Sequence, residues 1–339
     1  MRIGRRITAA GAAIAVACGL GLAGCSSEEG DTAAATGAES TVEVEEGAFP
    51  VTIEHAFGAT TIEEAPQRIA TVGESDVDAV LALGVTPVWA HQWMRGEPYP
   101  WQREKISGEG PGWVDMQELD LESIAAAEPD LIIVMFFDGI TADQYGRLSD
   151  IAPTIAYQEG QGDYQQSAED TQLMVGEALG RPKAARKLVD DLDAKYAAIR
   201  ERHPDWAGRT AVIASPDPAD LWAFSSEFPT SRVLEKLGFV IPEEIDALGD
   251  GGPNIDISAE RADLLDQDLV LWTCGDCTAA GVAADPVFAN LDVVREGRAL
   301  SMAEAFDEEA AAARAYATVL SMDFFLDELE RAIVDAIGE

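Results

Sequence analysis

Two stretches decide how this sequence folds: Leu119-Asp-Leu-Glu-Ser-Ile-Ala-Ala-Ala-Glu-Pro-Asp-Leu-Ile-Ile133 and Ile257-Ser-Ala-Glu-Arg-Ala-Asp-Leu-Leu-Asp-Gln-Asp-Leu-Val-Leu271, which align without a gap. In each, an N-cap residue (Asp120, Ser258) precedes a short helix with Glu at its second position. There a negative charge meets the positive end of the helix dipole. Further along, Asp130 or Asp268 opens an apolar run that reads as a buried strand. A second echo accompanies the first. Ala79-Val-Leu-Ala-Leu-Gly84 and Val233-Leu-Glu-Lys-Leu-Gly238 both end a helix at glycine, and Pro87 or Pro242 follows. The shared order of the echoes predicts two lobes of like architecture.

Strands alternate with helices around these landmarks. Val51 to Phe57 alternates as a strand, 68–72 reads as a buried strand, Asp76 to Leu83 as a short helix stopped by Gly84, and 85–90 as the next strand. Further strands are expected at 131–136, 154–157, 210–214, 221–224, 269–273 and 298–302. The pattern predicts α/β lobes with mainly parallel central sheets. Residues 166–202 read as helical, interrupted only at Gly180-Arg181-Pro182, where the proline suits the first turn of a new helix. Leu188, Leu192, Tyr196 and Ile199 then form one apolar stripe on a helix of roughly 30 Å. The expected organisation is an N-terminal lobe 48–180, a linking helix 181–203 and a C-terminal lobe 204–339. A single crossing permits small rocking and not wide closure.

The chain has 339 residues and a formal charge of −39, which excludes a nucleic-acid binder, since such proteins need clustered Lys and Arg. It also repels anionic lipid, so membrane association needs a separate device. Residues 1–24 carry Arg2, Arg5 and Arg6 and then an uncharged apolar stretch, the shape of a signal peptide. Leu22-Ala-Gly-Cys25 resembles the lipobox of bacterial lipoproteins, which implies a lipid on Cys25, cleavage before it and a disordered acidic tether over 25–47. Cleavage removes three of the basic residues and no acid, so −39 becomes −42. Cys18 leaves with the signal, and the mature body keeps Cys274 and Cys277. His55, His91 and His203 form no metal motif.

A family resemblance rests on His55-Ala-Phe-Gly-Ala-Thr-Thr-Ile62 with Pro66-Gln-Arg-Ile69, Ala82-Leu-Gly-Val-Thr-Pro-Val88, Leu121-Glu-Ser-Ile-Ala-Ala-Ala-Glu-Pro-Asp-Leu-Ile132, Gly176-Glu-Ala-Leu-Gly180, and Asp285-Pro-Val-Phe-Ala-Asn-Leu291 with Arg295-Glu-Gly-Arg298. These segments resemble the iron-siderophore class of ABC-transporter substrate-binding lipoproteins. The resemblance implies two lobes joined by one long helix, a ferric siderophore held between them, no protein cofactor, and a monomer anchored by lipid outside the cell membrane. It also implies docking to the permease through one surface Glu per lobe, and Glu122 and Glu260 occupy the matching positions.

Ligands of open α/β sheets bind beyond the carboxyl ends of strands. After strand 85–90 come Trp93, Arg95, Tyr99 and Trp101 in a Pro/Gly-broken loop, and these are expected to contact ligand, with Trp113 and Phe137 beside them. Phe228, Arg232 and Phe306 are the candidates from the second lobe, whereas Arg314, in an acidic Ala-rich helix, reads as solvated. Few basic residues and a negative field suit a neutral or cationic chelate, so a ferric hydroxamate is expected ahead of a catecholate. Haem and cobalamin are alternative cargo.

Trp272-Thr-Cys274-Gly-Asp-Cys277 offers a different class, a tethered extracellular thiol-disulfide oxidoreductase, although an exported CxxC is more often a small structural disulfide. A hydrolase finds no support, for there is no G-x-S-x-G, H-E-x-x-H or P-loop.

Overall fold

The structure, a computed structural model, describes residues 44–338 except 94–96, 116–117, 138, 162–165, 250–251, 253 and 275–276. The expected signal, Cys25, most of the tether and the ligand candidate Arg95 lie outside the described residues.

A hairpin of β1 (Val51–His55) and β2 (Gly58–Ile62) precedes the first sheet. That sheet holds β3 (Ile69–Thr71), β4 (Trp89–His91), β5 (Gly112–Val114), β6 (Leu131–Val134) and β7 (Thr154–Ala156). All five run parallel, in the order β5-β4-β3-β6-β7. Helices α1 (Asp76–Ala82), α2 (Pro100–Arg103), α3 (Leu121–Ala126), α4 (Ala142–Ser149) and α5 (Ala168–Ala178) connect or cover the strands. The long α6 (Pro182–Arg202) follows.

The second sheet holds β8 (Ala211–Ala214), β9 (Trp222–Phe224), β10 (Asn254–Asp256), β11 (Leu269–Trp272) and β12 (Ala299–Ser301), in the order β10-β9-β8-β11-β12. Its helices are α7 (Pro229–Lys236), α8 (Glu243–Asp246), α9 (Ala279–Ala284), α10 (Asp292–Arg295), α11 (Met302–Ala305), α12 (Glu308–Tyr316) and α13 (Val319–Ile337). The spatial order repeats that of the first sheet, but β9 runs antiparallel to β8. The parallel partner on that edge is the segment after α7, where Val240 bridges Thr210. The expected strand at 85–90 is ladder-paired only from Trp89, because Pro87 has no N–H to give. The short strands β2, β5 and β10 had no signal of their own in the sequence.

The sequence repeat now has a physical cause. Asp130 accepts hydrogen bonds from the backbone N–H groups of Gln67 and Arg68, both at 2.8 Å, and so ties the start of β6 to the start of β3. Asp268 does the same in the second lobe, accepting from Thr210 N at 2.9 Å and Thr210 Oγ1 at 3.2 Å. Gly84 and Gly238, at φ +74° and +104°, close α1 and α7 in the left-handed region that glycine adopts without strain. The copies differ at the repeated helix. Asp120 caps α3 by accepting from Ser123 N at 3.0 Å, whereas Ser258 makes no cap bond and the segment Ala259–Leu265 is a kinked 3₁₀ turn.

Alternation divides each sheet into two buried faces. Ile69, Leu131, Ile133 and Ile155 face α1 and α5, and Ala70, Val72, Ile132 and Val134 face the opposite layer. In α6, Ala185 packs into the first lobe, while Val189, Leu192, Tyr196 and Ile199 join the core of the second. Helix α13 lies along α6, with Lys195 paired to Asp323 at 3.3 Å and Asp327 at 3.1 Å, and Glu330 bound by Arg202 and His203. The second-lobe core also contains Tyr99 and Trp101 of the first lobe, so one apolar cluster crosses the boundary.

At the carboxyl end of β3, Asp76 accepts from the N–H groups of Gly73 and Met135, both at 2.9 Å, and of Phe136 at 3.1 Å. A Cβ on Gly73 would lie 2.4 Å from the Asp76 carboxylate, so glycine is needed for the approach. Burial pushes the Asp76 carboxyl from 3.8 up to about 7, against the pull of these donors.

Two predictions follow from close contacts in this framework. A Cβ on Gly176 of α5 would sit 2.2 Å from Ala185 Cβ, so Gly176→Ala is expected to destabilise the protein by about 1–3 kcal/mol in urea unfolding. Unchanged stability would show that α5 and α6 separate freely. The folded-state pKa of Asp76 lies above the unfolded value, so its contribution to stability is largest below pH 3.8 and is lost as pH rises through about 7. Asp76→Asn does not titrate and leaves at least one N–H without an acceptor. Its melting deficit relative to the parent is therefore widest near about pH 4 and narrows toward about pH 8, and a deficit that grows with pH would contradict this account.

Candidate functional site

The carboxyl ends of the first sheet meet the second lobe across a cavity of about 370 Å³. Glu74 follows β3, Trp93 follows β4 and Phe136 follows β6, so each first-lobe wall residue stands just past a strand end, where an open α/β sheet presents its loops. The second lobe contributes Phe224 from β9, Phe228 to Thr230 at the start of α7, Asn254, and Arg314, Ala315 and Ala317 from the end of α12 and beyond. Phe224 and Phe228 stack with centroids 3.7 Å apart and planes within 4°. Four aromatic rings thus face a cavity that holds, among the described residues, one acid and one base.

The base is unusual. Arg314 has its Nε buried without a hydrogen-bond partner, and burial pulls its pKa down. Among the described residues no carboxylate pairs with it. A guanidinium stays protonated in proteins, so the wall carries a partly buried cation whose Nε–H lacks an acceptor. That is a site prepared for an oxygen-rich group.

The floor and the boundary are built more rigidly. Asp76 fixes the turn carrying Glu74 and Phe136, and Glu74 N donates to Phe136 O at 2.7 Å. Behind Trp93, the fully buried Asp78 carboxylate accepts from Trp101 Nε1 at 2.9 Å, Gln102 Nε2 at 2.7 Å and Thr318 Oγ1 at 2.7 Å. Burial outweighs those three donors and pushes its pKa up to about 6.

Of the residues expected at the ligand, Trp93 and Phe228 line the cavity, and Arg95 is not among those described. The others are corrected. Tyr99 is 1% and Trp101 5% exposed, because Pro98-Tyr-Pro-Trp101 is no open loop: Tyr99 caps α2 and stacks on Trp101 at 4.6 Å inside the inter-lobe core. Trp113 packs against Val77, Leu81 and Ala90 from edge strand β5. Phe137 turns into the first-lobe core, and its neighbour Phe136 takes the cavity, the reverse of the expected choice within the pair. Phe306 is 7% exposed, edge-on to Phe325 at 5.0 Å. Arg232 donates to Glu227 at 2.7 Å beside a smaller hollow lined by Lys236 and Tyr196.

Sequence reasoning missed Arg314, Glu74, Phe136 and Phe224. Arg314 had a readable sign. It is the only base between Arg298 and Arg331, and its neighbours 310–313, 315 and 317 are all alanine, so no acid stands three or four residues away on the helix to pair with it.

Away from the cavity, Glu122 and Glu260 are both exposed and, among the described residues, unpaired, each following the edge strand β5 or β10 of its sheet. Cys274 and Cys277 are bonded to each other after β11, with Cα atoms 5.7 Å apart. Among the described residues there is no His/Cys/Asp/Glu cluster that could hold a metal ion, and no helix is long and apolar enough to cross a membrane.

Comparison with known proteins agrees with this geometry. A probable siderophore-binding lipoprotein of Bacillus subtilis, YfiY, is 27% identical over 57% of this chain and 58% of its own length, so the matched stretch spans little more than half of that relative. A periplasmic solute-binding protein of Mycobacterium smegmatis superposes with a TM-score of 0.72 at 29% identity, over 85% of this chain and 99% of that one. PiaA of Streptococcus pneumoniae, solved in complex with ferrichrome, superposes with a TM-score of 0.71 at 26% identity, over 85% and 98%. Residues 69–319, strand β3 through the first residue of α13, match the family described as periplasmic binding protein, and the chain belongs to that family.

Proposed function

We propose that the chain is the extracytoplasmic substrate-binding component of an ABC importer, which captures a ferric siderophore between its lobes and delivers it to the permease. The observation that carries this reading is the cavity itself: aromatic walls around Arg314, whose buried Nε has no partner, and, among the described lining residues, no nucleophile and base in catalytic array. The relatives named for siderophore binding, and the solved structure holding ferrichrome, support the choice of cargo. Iron would arrive inside its chelator, so the protein supplies no metal ligands.

A hydroxamate is the preferred class. A ferric catecholate brings a trianion, and among the described lining residues only the Arg314 guanidinium could offset those three charges, with the Glu74 carboxylate beside it opposing them. A neutral ferric trihydroxamate needs only acceptors for the Arg314 donors and aromatic area for its arms. Cys25 would carry the lipid that holds this body at the outer face of the cell membrane, and Cys274 and Cys277 would serve as a structural disulfide. Glu122 and Glu260 would reach the permease, one from each lobe.

Native mass spectrometry against iron-loaded hydroxamates and catecholates, haem and cobalamin tests the cargo, and a complex with haem or cobalamin alone would displace the siderophore reading. Arg314→Gln is expected to weaken binding of a ferric trihydroxamate by about ten- to a hundredfold, measured by tryptophan quenching, since it removes a charge-assisted hydrogen bond. Full affinity in that variant would remove Arg314 from the site. Glu122→Arg combined with Glu260→Arg should abolish uptake by cells while leaving affinity intact, and a loss of affinity would refute docking as their role.

A further inference from the structure

The cavity wall that carries Arg314 is fastened to the opposite lobe. Helix α12 ends at Tyr316 and α13 begins at Val319, and between them Ala317 adopts φ +48°. That left-handed conformation costs an alanine about 1 kcal/mol relative to glycine, so the surroundings must hold it. Its two neighbours do so, and both reach into the first lobe. Tyr316 Oη donates to the carbonyl of Trp93 at 3.1 Å, and Thr318 Oγ1 donates to Asp78 Oδ2 at 2.7 Å. The chain therefore alternates across the boundary: Arg314 and Ala317 line the cavity, while Tyr316 and Thr318 are anchored behind Trp93, the residue facing Arg314 from the other wall.

The anchor is chemically specific. Trp101, Gln102 and Thr318 all donate to Asp78, which accepts with two oxygens and donates with none when ionised. Gln102 is itself fixed, since its Oε1 accepts from Tyr99 N at 2.9 Å. Tyr316 lies edge-on to Tyr99 at 5.3 Å and Trp101 at 5.8 Å. The far part of α13 is zipped to α6 by the Lys195 and Glu330 pairs. The link 316–318 is thus the point where a stiff arm of the second lobe is bolted to the first.

We propose that Tyr316, Thr318 and Asp78 form a positioning latch that sets Arg314 opposite Trp93 before ligand arrives. This inference rests on the reading of the cavity as the ligand site. Rocking of the lobes then turns about the latch, so the walls nearest it keep their spacing while the rim opens and closes. Removing either hydroxyl leaves the rings and the core in place but frees the link to relax Ala317, and Arg314 moves with it.

Thr318→Val and Tyr316→Phe test the latch in the full-length protein. In unliganded protein, amide hydrogen exchange across 314–322 should accelerate about tenfold or more in each variant, with the rest of α13 unchanged. Affinity for ferrichrome, read by tryptophan quenching, should fall about tenfold, chiefly through faster release. If the hydroxyls act by placing Arg314, then Arg314→Gln added to either variant costs clearly less than the sum of the separate losses. Exchange that stays slow in both variants, or losses that add in full, would overturn the latch. A parent protein that ignores ferrichrome counts against the cargo, and the exchange measurement still decides the latch.

Discussion

Tyr99 and Trp101 leave the first lobe and stack inside the core of the second, and most of the molecule's behaviour depends on that burial. Two lobes joined only by a helix would be free to separate by bending it. Here separation would return two large rings to water, together with the ring of Tyr316 against which they pack. Fully burying one such side chain is worth about 1.5–3 kcal/mol, so wide opening costs several kcal/mol before any hydrogen bond is counted. The long α6 sets the span, and the shared core sets how little the span can change. The limit to small rocking expected from a single crossing helix would rest on this shared core more than on the helix.

Charge acts at a different scale. The chain carries −39 overall, yet its cavity holds, among the described residues, one acid and one base. Many of the described acids are exposed, on helices and loops alike, where water screens them and each contributes little. The long-range field therefore favours approach of neutral or cationic molecules, while the described part of the cavity wall presents an unpaired guanidinium amid aromatic rings. Buried charge without a partner is costly, and a protein keeps it where a ligand will supply the partner.

The architecture was legible because it repeats. Two copies of a helix-then-Asp segment announced two lobes, and the structure shows that each Asp joins the starts of neighbouring parallel strands, a task only a short acceptor at that position performs. The site was legible in part. The cavity lies at the strand-end loops where a site was sought, but loop composition could not tell Tyr99 and Trp101, drawn into a capped turn and a shared core, from Trp93, left on the wall. Phe137 was expected at the ligand, but the chain leaving β6 puts Phe136 on the cavity wall and Phe137 against the first-lobe core. Arg314 was hidden for another reason. Its helix looked acidic and solvated in isolation, and only the packing of α12 against the opposite lobe turns that face into a cavity wall.

The reversed strand β9 carries one more consequence. The edge of β8 is already served at its amino end by the segment around Val240, which follows α7 as β4 follows α1. Strand β9 occupies only the carboxyl end of that edge, through the single pair Ala214 and Ala223. Phe224, and the stack it makes with Phe228, thus rides on a hairpin that the winding of the lobe does not require. Such an element can be lengthened, shortened or recomposed while β8, β11 and β12 keep their register. One wall of the cavity is an interchangeable part on a fixed chassis, so its size and polarity can change without rebuilding the sheet.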